Sequence, residues 1–253
     1  MIIAANLKTN FTRTETREYI EKTEIFIKET KTTQEVLVFP AMSSLDSFDT
    51  KLIQGAQNAY PTIDGAFTGE IGLKHLEEFG IKTILIGHSE RRHIFGESQE
   101  ELVKKFNFYK DLGFKIVYCV GEPLEKREAG NTAMMEYISS QYEGIDTEYE
   151  NLIIAYEPVW AIGTGLTPTF EDIEEIHTAL KKKSLASLLY GGSVKVTNAK
   201  DVLAIANVDG ILVGSAALYV EHFCNMISFA EELSVTDHPV KSQKNSNIYP
   251  NKE

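Results

Sequence analysis

Short apolar runs rich in β-branched residues alternate along this chain with longer segments whose apolar positions recur at helical spacing. The runs are Ile2-Ile3-Ala4-Ala5, Val36-Leu37-Val38-Phe39, Ile53 to Ala59, Thr83-Ile84-Leu85-Ile86, Lys115-Ile116-Val117-Tyr118-Cys119, Leu152 to Tyr156, Leu185 to Tyr190 and Gly210 to Val213, giving eight candidate strands. Helical spacing appears at Tyr19, Ile20, Thr23, Phe26 and Ile27, at Leu102, Val103, Phe106 and Tyr109, at Ile173, Ile176, His177 and Leu180, and at Val202, Leu203, Ile205 and Ala206. Ser98 and Glu101 form a capping box that predicts a helix start there. The strand runs are continuous rather than alternating, as parallel strands covered by helices read. Eight strand-helix units in about 230 residues fit a single closed (β/α)8 barrel (a TIM barrel) better than a doubly wound open sheet. The barrel is expected over 1–233. The segment 234–253 is polar, with two prolines, and reads as a loosely ordered tail.

Composition narrows the chemistry. With 253 residues and 43% hydrophobic content, the chain can bury a sizeable core. A net charge of -12 leaves no basic footprint for nucleic acid or an anionic membrane, so an anionic ligand would need a local site. Cys119 and Cys224 are too few for a disulfide framework or a cysteine metal site, and with no visible secretory leader or membrane span they suggest a cytoplasmic protein.

In a (β/α)8 barrel the chemistry belongs on the loops at the carboxyl ends of the strands. Asn6 and Lys8 follow the first strand, His88 and Glu90 the fourth, and Glu157 the sixth. Gly191-Gly192-Ser193 follows the seventh, and Gly214-Ser215 the eighth. Each has an ordinary use: a solvated lysine, a polar loop in which Arg91 and Arg92 pair with Glu90, an exit carboxylate, a tight glycine turn. Together they place an amide, an ammonium, an imidazole, a carboxylate and two glycine turns around one barrel mouth. The remaining histidines, His75, His93, His177, His222 and His238, show no ligand spacing, and no metal or dinucleotide motif is present, so no metal or cofactor is expected.

At these residues the chain resembles the triosephosphate isomerases. The resemblance rests on "AYEPVWAIGTG" (Ala155 to Gly165) and "ILIGHSERRHIFGES" (Ile84 to Ser98), with "GAFTGEIG", "YCVGE" and "YGGSV" in support, and it spans about residues 1 to 230. It implies interconversion of dihydroxyacetone phosphate and D-glyceraldehyde 3-phosphate through an enediolate, a step of glycolysis and gluconeogenesis. Glu157 is then the base, His88 and Asn6 donate to the substrate oxygens, Lys8 supplies positive charge and Glu90 supports them. The handling of a carbon acid by a carboxylate and a neutral imidazole is the known pattern of this family. Pro158 to Leu166 would form a lid, with the N–H of Gly163 joining those of Ser193, Gly214 and Ser215 on the phosphate.

The chain departs from the family pattern at Leu7, Thr9, Leu166 and Ser215. The last would carry a cost if its backbone required φ > 0. The family also implies a homodimer. In it the segment Ala59 to Glu70 enters the neighbour, Thr68 approaches Asn6 of the partner subunit, and Glu70 pairs with Arg91 of the partner subunit. Two other readings are a different phosphate-binding barrel enzyme, such as a sugar-phosphate epimerase, and a binding scaffold that kept the barrel. The first would need another acid-base set, often with a metal. The second would have no use for a carboxylate aimed at a carbon acid.

Overall fold

The computed structural model describes residues 1–162 and 166–236. The parallel strands are β1 (Ile2–Asn6), β2 (Glu35–Phe39), β3 (Ile53–Gln54), β4 (Thr83–Ile86), β5 (Lys115–Val120), β6 (Leu152–Tyr156), β7 (Ser187–Tyr190) and β8 (Gly210–Val213). They pair in the order β3-β2-β1-β8-β7-β6-β5-β4. The two ends meet through the bridge between Ala56 and Ile84, where Ala56 N–H donates to Thr83 C=O at 2.9 Å and Leu85 N–H to Ala56 C=O at 2.8 Å. The eight-stranded parallel barrel expected from the sequence is therefore present.

Helices ring it: α1 (Arg13–Thr30), α2 (Leu73–Glu78), α3 (Ser89–His93), α4 (Gln99–Asp111), α5 (Leu124–Glu128), α6 (Asn131–Ser140), α7 (Phe170–Lys181), α8 (Val196–Leu203) and α9 (Val220–Thr236). Reciprocal capping boxes start three of them, Thr12 with Glu15 for α1, Ser98 with Glu101 for α4 and Thr169 with Asp172 for α7. Each satisfies N–H groups that the first turn of a helix leaves without a partner. The helical stripes read from sequence face inward at Tyr19, Ile20 and Ile27, at Leu102, Phe106 and Tyr109, and at Ile173, Ile176 and Leu180.

Two apolar layers result. Outward-facing strand residues such as Ile3, Ala5, Val36 and Ile154 pack under the helices. Inward-facing residues fill the barrel, among them Ile2 and Ala4 of β1, Leu37 and Phe39 of β2, Cys119 of β5, Ile153 and Ala155 of β6, Leu189 of β7 and Leu212 of β8. This two-residue period places the site. One step beyond Ala4 is Asn6, and one step beyond Ala155 is Glu157, so both carry the inward register to the barrel mouth.

Three sequence boundaries move. β3 is two residues long instead of reaching Ala59, and beyond it only Ala56 makes a bridge. β7 begins at Ser187, leaving Leu185 96% exposed before it. α8 stops at Leu203, so Ile205 and Ala206 lie past the helix they were assigned to. Ser234 to Thr236 continue α9, and the rest of the expected tail, 237–253, lies outside the described residues. No described helix is long and apolar enough to cross a membrane.

Candidate active site

At the carboxyl ends of the strands a cavity of about 610 Å³ is lined by Asn6, Lys8, His88, Glu157, Ile162, Gly191, Gly192, Ser193, Gly214 and Ser215, with parts of the segments that follow. Except for Gly163, which is outside the described residues, every catalytic and phosphate-site residue expected from the sequence lines this one cavity.

Asn6, His88 and Glu157 are almost fully buried. His88 caps the short helix α3, where its Nδ1 accepts the N–H of Glu90 at 3.2 Å. A nitrogen that accepts carries no proton, so this bond selects the neutral tautomer with its hydrogen on Nε2. Nε2 lies 3.1 Å from Glu157 Oε1. The other carboxylate oxygen, Oε2, accepts the N–H of Ser89 at 2.8 Å. Burial above all and the Glu157 charge next push the Cys119 thiol well above its usual range, which keeps it a neutral S–H. Each carboxylate oxygen of Glu157 thus faces one donor.

Lys8 reaches the same mouth with a left-handed backbone, φ 51°. Its N–H donates to Asn6 Oδ1 at 3.1 Å, and its Nζ to Glu90 Oε1 at 2.5 Å. Glu90 therefore pairs with the lysine rather than with Arg91 or Arg92, the ordinary pairing open to it in sequence. Arg91 Nε instead donates to Glu97 at 2.8 Å, and Arg92 Nε to the Gly87 carbonyl at 2.8 Å.

The opposite wall is mostly backbone. Gly191 and Gly192 serve there by their lack of a side chain, because neither has a left-handed φ. A Cβ on Gly191 would lie 2.9 Å from Glu157 Cγ, and one on Gly192 would lie 2.2 Å from the Tyr190 hydroxyl. Among the described residues, no protein acceptor takes the backbone N–H of Ser193, Gly214 or Ser215. Ser215 opens a short 3-10 turn and has no left-handed φ, so the cost foreseen for a side chain there does not arise.

The start of the expected lid is tied down by a buried acid. Glu122 accepts from Trp160 Nε1 at 2.9 Å and from the Tyr156 hydroxyl at 3.1 Å, and burial raises its carboxyl above the usual range. Trp160 thus anchors the segment to the strand beneath as well as lying within it. Sequence reasoning assigned no role to Ser89, Cys119 or Glu122. Glu122 had a visible signal, an acid closing an apolar strand, whereas the Ser89 contact is made by backbone and has none. Among the described residues, no group of three or more His, Cys, Asp or Glu side chains is placed to hold a metal ion.

Comparison with known proteins gives the same answer as this geometry. A family model described as Triosephosphate isomerase matches residues 1–230. A triosephosphate isomerase from Sulfurimonas denitrificans is 69% identical over 92% of this chain and 97% of its own length. Those from Nitratiruptor sp. (54% identical, 92% of this chain and all of the relative) and Helicobacter pylori (49%, 90% and 98%) are also similar over nearly their full lengths. The chain belongs to the triosephosphate isomerase family.

Proposed function

We propose that Glu157, His88, Asn6 and Lys8 perform on this chain the reaction of its family, the interconversion of dihydroxyacetone phosphate and D-glyceraldehyde 3-phosphate. Glu157 removes the proton on carbon next to the carbonyl, and the electron pair left behind becomes an enediolate. The Nε2–H of His88 and the side-chain amide of Asn6 donate to its two oxygens, and the Lys8 ammonium offsets the negative charge. The hydroxyl proton passes from the first oxygen to the second, and return of the proton from Glu157 to the neighbouring carbon then completes the isomerisation without net loss of atoms. For this to happen the bond between His88 and Glu157 must be exchanged for bonds to substrate, so binding itself frees the base. The phosphate lies against the N–H groups of Ser193, Gly214 and Ser215, joined by that of Gly163.

The observation that carries this reading is Glu157 itself, a carboxylate 2% exposed at the end of β6, facing an imidazole fixed as a neutral donor. Glu157→Gln keeps an oxygen for the Ser89 N–H but loses the base. Its kcat is expected to fall by about 10³-fold or more, with KM changed far less. Turnover near that of the native protein would remove Glu157 from this role.

The chain is further read as a cytoplasmic homodimer. Ile63 and Phe67 of the segment Ala59 to Glu70 are 55% and 43% exposed, and Ile94 and Phe95 after α3 are 72% and 66% exposed, an amount of apolar surface that a second subunit would cover. Thr68 and Glu70 are exposed on the same segment, and Glu70 would reach Arg91 of the partner subunit. Shortening Tyr60 to Gly65 should give monomers of much lower activity in sedimentation and kinetic assays. A fully active monomer would refute the interface.

A further inference from the structure

The loop after β3 places a side chain against the backbone of Lys8, a residue of the cavity. Ala56 is clamped between Thr83 and Leu85 by the two hydrogen bonds that close the barrel. The next residue, Gln57, is therefore placed by the scaffold itself. Its Nε2 donates to the Lys8 carbonyl at 2.8 Å and to the Phe39 carbonyl at 3.0 Å. On its far side Asn58 Oδ1 accepts from the buried Lys105 Nζ at 2.7 Å, so the loop is pinned both before and after Gln57.

Lys8 needs such a hold. Among the described residues, only Lys8, Lys31 and Asn207 combine a side chain with a left-handed φ. That conformation is unfavourable for an L-residue and persists where its surroundings over-determine it. Asn6 fixes the N–H of Lys8, and Glu90 holds its ammonium. The carbonyl side is left to Gln57. An amide has two N–H bonds, and here one amide serves two carbonyls, tying the end of β2 to the residue that leaves β1.

We propose that Gln57 is a positioning residue for Lys8, holding its left-handed backbone so that the ammonium enters the cavity beside Glu90. This rests on the reading of Lys8 as the substrate-facing cation. Without the Gln57 bonds, the Lys8 backbone relaxes toward a common conformation and carries the ammonium away from the substrate.

A double-mutant cycle tests this, with kcat/KM for D-glyceraldehyde 3-phosphate measured on the native protein, Gln57→Met, Lys8→Ala and the double variant. Methionine matches the length of glutamine and has no donor. Gln57→Met should lower kcat/KM about 10- to 100-fold in the native background, the scale of a misplaced catalytic group. In the Lys8→Ala background the same change should cost less than about threefold, because no ammonium remains to be misplaced. An equal loss in both backgrounds, or no loss in the native one, overturns the proposal while leaving the role of Lys8 intact. Full activity of Lys8→Ala would instead remove Lys8 from the site, and this inference with it. If Gln57→Met does not fold, Gln57→Asn enters the same cycle, with its amide drawn back by one methylene.

Discussion

The two ends of the cavity are made of different material. At the carbonyl end the functional groups are side chains, held by one another and by nearby backbone: Glu90 to Lys8, Lys8 N–H to Asn6, Glu90 N–H to His88, His88 to Glu157, and Ser89 N–H to Glu157. At the end proposed for the phosphate the donors are backbone N–H groups, in space cleared by Gly191 and Gly192. The difference follows from what each end must do. Moving a proton needs groups of particular acidity and tautomer, which only side chains provide. Binding a phosphate needs several donors on a concave surface, which the main chain supplies without side-chain entropy. Side-chain exchanges should therefore strike turnover at one end, while changes at the other should strike binding.

Gly191 is where that division can be broken. It belongs to a glycine turn of the phosphate wall, yet its added Cβ would lie 2.9 Å from Glu157 Cγ and 3.2 Å from the Tyr156 carbonyl. Cγ is close to the backbone and can yield only if the whole carboxylate tilts. Gly191→Ala should therefore behave as a lesion of the base, lowering kcat by about 10²-fold with a much smaller change in KM. A raised KM with unchanged kcat would return Gly191 to the phosphate end.

This contrast also explains what could be read in the sequence. The carbonyl end was legible because its residues, Asn6, Lys8, His88 and Glu157, are polar types standing where apolar runs stop. The phosphate end was legible only as glycines, and the first reason available for them, a tight turn, is not theirs: Gly191 and Gly192 are needed for room against Glu157, Tyr190 and Pro158. Neither the left-handed φ of Lys8 nor the Gln57 bonds to its carbonyl leave a mark in local pattern, because both depend on the meeting of β1, β2 and the loop after β3. The fold was legible because parallel strands covered on both faces must be apolar throughout. It failed at β3, where the apolar run Ile53 to Ala59 continues although the ladder does not. Gly55 there is pressed against the inward-facing Phe39 ring, which lies 2.3 Å from where a Cβ would be.

The two ends share a support, and acid should test it next. His177 is fully buried in α7, with ring centroids 5.9 Å from Tyr156 and 6.2 Å from Tyr190, the residues just before Glu157 and Gly191. Burial lowers its pKa to about 4, although the Asn207 carbonyl opposes the shift. In the unfolded chain its value is about 6.5. Between these values the unfolded state binds the extra proton, so the contribution of neutral His177 is complete above about pH 6.5 and is lost as pH falls toward about 4. The loss amounts to about 3 kcal/mol. His177→Asn, whose amide nitrogen takes the place of Nδ1 against the Asn207 carbonyl, should flatten this part of the stability profile in denaturant titrations at stepped pH. An unchanged slope would mean that His177 takes up a proton in the fold without penalty.

The smallest effect belongs to Ser215, and it sharpens the comparison because the family pattern has glycine there. If the phosphate end needed backbone freedom at this position, Ser215→Gly would relieve strain and improve both binding and stability. Ser215 has no left-handed φ and already sits in the 3-10 turn that begins with it, so there is no strain to relieve. Its backbone N–H, the group proposed to face the phosphate, is the same in either residue. The glycine would only enlarge the freedom lost on folding, at a cost of about 0.5 to 1 kcal/mol. Ser215→Gly should therefore unfold at slightly lower denaturant while keeping kcat and KM within about twofold of the native values. A clear fall in KM would show instead that the serine side chain crowds the phosphate, and that the wall depends on more than its backbone.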